Sequence, residues 1–270
     1  MMFLQKTKNM DLSLKGKRAL IGGSTQGIGF AIAKELSLLG ASCTLIARNE
    51  ERLQSAVAEL DSSSGQQHDF LVADFSDYKQ VEQVVKDYVV ANTVQILINN
   101  SGGPAGGALT EASPEAFLQA FQQHLICNQL LTLAVLPGMQ QQQYGRIVNV
   151  ISTSVKIPLK GLGVSNTIRG AVASWAKTMA NELGQFGITV NNILPGATAT
   201  ARLESIVKNK SAKAGIAEDQ VAASMQEEIP MNRFGKPEEI AAVAAFLCTP
   251  AAAYVNGASI PVDGGRTGSI

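Results

Sequence analysis

The residues from Gly23 to Gly29 have the types and spacing to hold a phosphate. A short apolar run, Ala19-Leu20-Ile21, enters Gly22-Gly23-Ser24-Thr25-Gln26-Gly27-Ile28-Gly29 and leaves as an amphipathic pattern reaching Leu39. Glycines at 23, 27 and 29 remove side chains that would keep a phosphate off the backbone. A helix starting here presents unpaired N–H groups and a partial positive charge. Ser24, Thr25, Gln26 and Ile28 complete the candidate cradle. Its spacing, G-x-x-x-G-x-G, differs from the commoner G-x-G-x-x-G dinucleotide turn. A tight turn between a buried strand and a close-packed helix also wants glycine, so further signals are needed.

Those signals lie at the ends of the next apolar runs. The second ends Ile46-Ala47-Arg48-Asn49, with Arg48 where a carboxylate would grip an adenosine ribose 2′-hydroxyl. A guanidinium pairs with a 2′-phosphate that a carboxylate would repel, which favours NADP(H) over NAD(H). Arg48 also suits the start of a solvated helix with Glu50, Glu51 and Arg52. Ala73-Asp74-Phe75 and Asn99-Asn100-Ser101-Gly102-Gly103-Pro104 follow the third and fourth runs. A short carboxylate and amide at strand ends can hold adenine edges and cross-link loops, while the glycines admit a ligand to the backbone. Asp74 also suits a helix cap for the segment beginning near Asp77.

The elements that must position these residues alternate along the chain. Apolar runs at 19–21, 44–47, 70–73, 96–98, 147–150, 188–190 and 259–262 read as strands buried on both faces. Helical periodicity occupies 27–39, 49–60, 77–90, 114–136, 165–183 and 237–248. This order predicts an α/β fold, a doubly wound parallel sheet of the Rossmann type with helices on both faces. It is a single domain spanning 12–270 after a flexible N-terminal extension at 1–11. Lys plus Arg equals Asp plus Glu, 22 each, so no long-range field recruits nucleic acid or an anionic membrane. No run reaches membrane-spanning length, and no signal peptide is evident. Three scattered cysteines without zinc-type spacing fit reduced thiols in a cytoplasmic protein with no metal.

Gly23-x-x-x-Gly27-x-Gly29, Asp74, Asn99-Asn100-Ser101-Gly102, Asn191-Asn192-Ile193-Leu194-Pro195-Gly196-x-x-x-Thr200, Arg233-Phe234-Gly235-Lys236-Pro237-Glu238-Glu239-Ile240 and Val262-Asp263-Gly264-Gly265 stand in one order and spacing. Together they resemble the classical short-chain dehydrogenase/reductase family, over about Leu12 to Gly265, and within it the 3-oxoacyl-carrier-protein reductase group. The resemblance implies a nicotinamide cofactor held in part by Pro195, Gly196 and Thr198. It also implies a small carbonyl or acyl substrate, a lid near 200–229, and a dimer or tetramer.

The family's catalytic Asn, Ser, Tyr and Lys are only partly present. Ser152 ends its strand as the family's serine does. Thirteen positions on, at the tyrosine's place, is Ser165; four further, at the lysine's, is Arg169; the asparagine's place falls on His124. Gly170-Ala171-Val172 and Lys177 keep the register. Serine is a far weaker acid than tyrosine, and arginine, titrating above about 12, does not relay protons as lysine does. Arg169 can still bind nicotinamide ribose hydroxyls. His124, with an unperturbed pKa of about 6.5, is the alternative proton donor, although its helical spacing from Phe117 and Phe121 also suits a packed core histidine. Two readings stay open: an NADP(H)-dependent carbonyl–alcohol oxidoreductase with atypical proton transfer, or a catalytically silent nucleotide-binding member acting as sensor or partner subunit. Trp175, Met179 and Leu183 suit a helix interface or the core; by resemblance they lie in the main contact of a homo-oligomer, a tetramer.

Overall fold

Parallel strands that carry helices on both faces place apolar side chains above and below the sheet in turn, and the first strand shows this pleat directly. In the computed structural model, which describes residues 10–269, β1 (Arg18–Gly22) sends Ala19 and Ile21 to one face and Leu20 to the other. β2 (Ser42–Ala47) and β4 (Ile96–Asn99) alternate likewise. With β3 (Asp69–Val72), β5 (Gly145–Val150), β6 (Ile188–Pro195) and β7 (Ser259–Val262) they form a seven-stranded parallel sheet, ordered β3-β2-β1-β4-β5-β6-β7.

One face is covered by α1 (Gly27–Leu38), α2 (Glu50–Ala58) and α9 (Pro237–Cys248). The other is covered by α3 (Tyr78–Ala91), α5 (Cys127–Gln141) and α6 (Gly163–Leu183). Helix α4 (Pro114–Phe121) runs into α5 through a π-turn at Gln122–Ile126, and α7 (Ala201–Ala214) and α8 (Glu218–Glu227) lie between β6 and α9. All seven expected strands form.

Three expectations need correction. The strands are not all buried on both faces: β3 and β7 are the sheet's edges and stay partly exposed. The helix expected to end before Pro137 continues to Gln141, with the proline inside it. Residues 1–9 of the expected extension lie outside the described residues. Asp11, also placed in that extension, accepts a backbone bond from Ala251 N–H at 3.0 Å and so belongs to the fold.

A buried row of amides crosses the sheet near its C-terminal edge. Asn99, Asn149, Asn192 and Ser259 are register partners on β4, β5, β6 and β7. Asn99 Nδ2 donates to Asn149 Oδ1 at 2.8 Å, Asn149 Nδ2 to Asn192 Oδ1 at 2.9 Å, and Asn192 Nδ2 to Ser259 Oγ at 3.1 Å. Unpaired polar groups this deep are costly, so the three bonds favour this one register of the four strands, although Asn99 Oδ1 itself has no partner.

Candidate functional site

The chain leaves β3 for β4 on the far side of β1, so strand order reverses between β1 and β4. In open α/β sheets, the crevice beyond the strand ends at such a point is where ligands bind. Here it is formed by the glycine turn after β1 and the Asn100–Pro104 segment after β4. The two are joined by Asn100, whose Nδ2 donates to the carbonyls of Gly22 and Gly23 at 3.1 Å each. Asn100 thus shapes the turn with its side chain, and this tie explains two glycines. A Cβ at Gly23 would stand 2.9 Å from Asn100 Nδ2, on a backbone with φ +54°; at Gly29 it would stand 2.4 Å from Gly23 O.

At the start of α1, Gln26 contributes no side-chain cap and the first turn holds no acidic residue. Asn49, Asp77 and Ser113 cap α2, α3 and α4, whereas α6 shares with α1 the lack of both a side-chain cap and an acidic first turn. The free N–H groups of α1 therefore open onto the crevice with nothing of the chain's own to neutralise them, which fits a phosphate group of a dinucleotide. Ser24 is fully buried and its hydroxyl donates to Ile21 O at 2.9 Å, so that side chain is turned away from any phosphate. Thr200, the residue before α7, stands over Gly27. Thr198 Oγ1 donates to Gly196 O at 3.1 Å, and Gly196 N–H to Val262 O at 3.0 Å, so the segment after Pro195 is held against the sheet.

On the other flank a pocket of about 480 Å³ is lined by Arg48, Asn49, Val72, Asp74 and Gln80. Arg48 is 80% exposed, its Nη1 3.9 Å from Asp74 Oδ2. Asp74 Oδ1 accepts from Ser76 N–H at 2.9 Å; that bond, with Arg48 as a lesser influence, holds its carboxyl below the usual carboxylate range. Asn49 Oδ1 is engaged by Arg52 N–H. Phe75 packs its ring against the backbone of Gly22. Asn49 thus forms part of the pocket's wall, Phe75 packs on the glycine turn instead, and Arg48 is the pocket's one loosely held cation.

The chemistry-bearing residues gather at the ends of β4 and β5. Ser152 is half-buried two residues beyond β5; its Oγ accepts from Ser154 N–H at 3.1 Å, leaving the O–H to donate elsewhere. Ser165 and Arg169 lie one turn apart on α6. Arg169 is 8% exposed, and its Nη1 donates to Val150 O at 3.3 Å. Burial first, and then Arg202, push its pKa down to about 10, so it remains a cation at neutral pH.

His124 lies in the π-turn, a local widening of the helix that often marks a working site. It is 1% exposed, with Nδ1 2.8 Å from Ser101 Oγ and no partner for Nε2. Burial first, and then the Arg169 charge, push its pKa down to about 3. The expectation of a histidine acid rested on an unperturbed pKa, whereas this surrounding disfavours the charged ring.

Sequence reasoning did not bring in Arg202, the second residue of α7. Its Nη2 donates to Pro104 O at 2.6 Å, tying α7 to the loop after β4. No local pattern signals this, because the two residues are 98 positions apart. Among the described residues no group of three or more His, Cys, Asp or Glu side chains is placed to hold a metal ion. No helix there is long and apolar enough to cross a membrane.

Comparison with known proteins agrees with this fold. The family model described as enoyl-(acyl carrier protein) reductase matches residues 23–267. The chain is 31% identical over 257 residues to the 3-oxoacyl-acyl-carrier-protein reductase FabG of Haemophilus influenzae, covering 93% of this chain and 98% of the relative. Among solved structures it is similar to the L-sorbose reductase of Gluconobacter frateurii complexed with NADPH and L-sorbose. That match has 30% identity, a TM-score of 0.90, and coverage of 97% of this chain and 100% of the other. A variant of actinorhodin polyketide ketoreductase with NADPH gives a TM-score of 0.87 at 30% identity, covering 94% and 98%. With its sheet order, glycine turn and near-complete coverage by these relatives, the chain belongs to the classical short-chain dehydrogenase/reductase family.

Proposed function

We propose that the protein is an NADP(H)-dependent oxidoreductase interconverting a carbonyl and a secondary alcohol, similar to the 3-oxoacyl-carrier-protein reductases but with an altered proton-transfer set. The observation that carries this is the uncapped start of α1 over the Gly23–Gly29 turn, at the point where strand order reverses. Arg48, loosely held at the mouth of its pocket, supports a 2′-phosphate and hence NADP(H) over NAD(H). Bound there, the cofactor supplies a hydride to a carbonyl carbon, or accepts one from an alcohol.

The chain's own residues then do three things. Ser152 donates its O–H to the carbonyl oxygen. Arg169 places a buried positive charge near the end of β5, where negative charge on that oxygen is stabilised as it develops. Neutral His124 positions Ser101, and through it the loop after β4, rather than giving up a proton. Ser165, one turn before Arg169 on α6, is too weak an acid to replace the family's tyrosine, and the proton comes from water. Positioning and electrostatics retain much of the rate when the acid is weak.

The loss of the family's tyrosine and lysine also supports the second reading, a silent nucleotide-binding subunit. Titration with NADPH and NADH by fluorescence, followed by turnover on a panel of carbonyl compounds, separates the two. Tighter NADPH binding with saturable turnover is the expected result; binding without turnover selects the silent subunit, and no nucleotide binding refutes both.

The same reading includes a homotetramer in the cytoplasm. Leu118, Phe121 and Leu133, all exposed on the α4–α5 run, support the assembly. Three free, buried cysteines fit a reducing compartment.

A further inference from the structure

Two guanidinium groups converge where the loop after β4 meets α6 and α7. A Cβ built on Gly103 would stand 3.8 Å from Arg169 Nη2 and 3.8 Å from Arg202 Nη2. Glycine leaves that place open. Neither arginine forms a salt bridge among the described residues; their polar contacts are the carbonyls of Val150 and Pro104. Two like charges held together, one of them almost wholly buried, are mutually destabilising unless an anion sits between them. Arg48, Arg233 and Arg266 each face a carboxylate, and the buried Arg146 is satisfied by the carbonyls of Gly145, Gly187 and Thr249 and by the Tyr144 ring.

An anion drawn to this pair would come from the reacting molecule rather than from a phosphate of the cofactor. The phosphate cradle is the start of α1, where Thr200 stands over Gly27. Arg202 reaches Pro104, at the other end of the Asn100–Pro104 segment from the Asn100 tie to the glycine turn, while His124 holds Ser101 and Arg169 holds the Val150 carbonyl. We infer that Arg169 and Arg202 form a carboxylate clamp over Gly103, and that the substrate is a small oxo acid whose carboxylate lies within a few bonds of the carbonyl. A planar carboxylate accepts from two guanidinium groups at once, and its neighbouring carbonyl then falls toward Ser152. This inference rests on the reading of the site as one that reduces a carbonyl.

The test uses Arg202, because it is exposed and its replacement leaves the core intact. Three measurements are made on the full chain and on Arg202→Gln: NADPH binding by fluorescence, kcat/KM for a series of 2-oxo and 3-oxo acids against their methyl esters, and calorimetric binding of a 2-hydroxy acid against its amide in the NADP-saturated protein. The expected result is a preference of about ten-fold or more for the acid over its ester, and for the hydroxy acid over its amide. Both preferences should fall close to unity in Arg202→Gln, with NADPH affinity unchanged. Arg202→Lys should restore part of them. Equal use of acid and ester by the natural chain overturns the clamp while leaving the carbonyl-reducing function standing. A loss of NADPH affinity in Arg202→Gln, with the acid preference intact, overturns it too, by assigning the pair to the cofactor. Should no turnover be found, the calorimetric comparison alone decides: equal binding of hydroxy acid and amide refutes the clamp.

Discussion

Replacing His124 by asparagine should flatten the acid side of the protein's stability profile. The ring is 1% exposed and its pKa is pushed down to about 3, against about 6.5 in an unfolded chain. Because the folded value is the lower one, the unfolded state takes up the proton first as pH falls. The stabilisation from keeping the ring neutral is complete above about pH 6.5 and is lost progressively toward pH 3. The limiting slope is about 1.4 kcal/mol per pH unit. Between pH 7.5 and 5.0 the histidine should therefore remove about 2 kcal/mol from the natural protein and nothing from His124→Asn. Carboxylates titrating in the same range act on both proteins and cancel in the difference. Urea unfolding at half-unit pH steps measures it. Parallel profiles for the two proteins would refute the account of a buried neutral imidazole and reopen its role as an acid. The same reasoning predicts that the pH–rate profile for carbonyl reduction shows no inflection near 6.5 traceable to this residue.

Arg48→Ala should weaken NADPH binding about ten-fold or more and leave NADH binding nearly unchanged, since a single charge-assisted contact to a 2′-phosphate is removed; equal losses for both nucleotides would contradict the assignment. Asn149→Ala should cost about 2–6 kcal/mol in urea unfolding, because it strands the Asn99 Nδ2 donor and the Asn192 Oδ1 acceptor in a dry sheet at about 1–3 kcal/mol each. A loss under about 1 kcal/mol would mean that water satisfies the row. Leu133→Glu, on an exposed apolar position, should dissociate the proposed tetramer in light scattering without unfolding the subunit. Trp175 is a poorer probe of assembly, because its indole N–H donates to Gln129 Oε1 at 2.7 Å and its ring packs beside Val172 and Leu194.

The alternation of strands and helices, the glycine turn after β1 and the kinds of residue that stand at strand ends were legible in the linear chain. Each rests on local rules: an apolar run long enough for a strand, a helical period after it, and glycines where the backbone must turn tightly. Arg48, Asp74 and Ser101 could be named for the same reason, since a residue just past a parallel strand is delivered to the same edge whatever surrounds it. Environment could not be read this way. His124 has the right chemical type for an acid, and only its burial beside Arg169 makes it a neutral one. Asn100 has the type of a ligand contact, yet its amide holds the glycine turn from 77 residues away. The same limit covers the edge strands and the amide row, which depend on which strands are neighbours, and the meeting of Arg169 with Arg202 over Gly103. The sequence by itself determined which backbone shapes form and in what order. The tertiary structure alone decided which polar groups face one another and how dry their surroundings are, because charge states and pairings depend on neighbours brought together from distant parts of the chain.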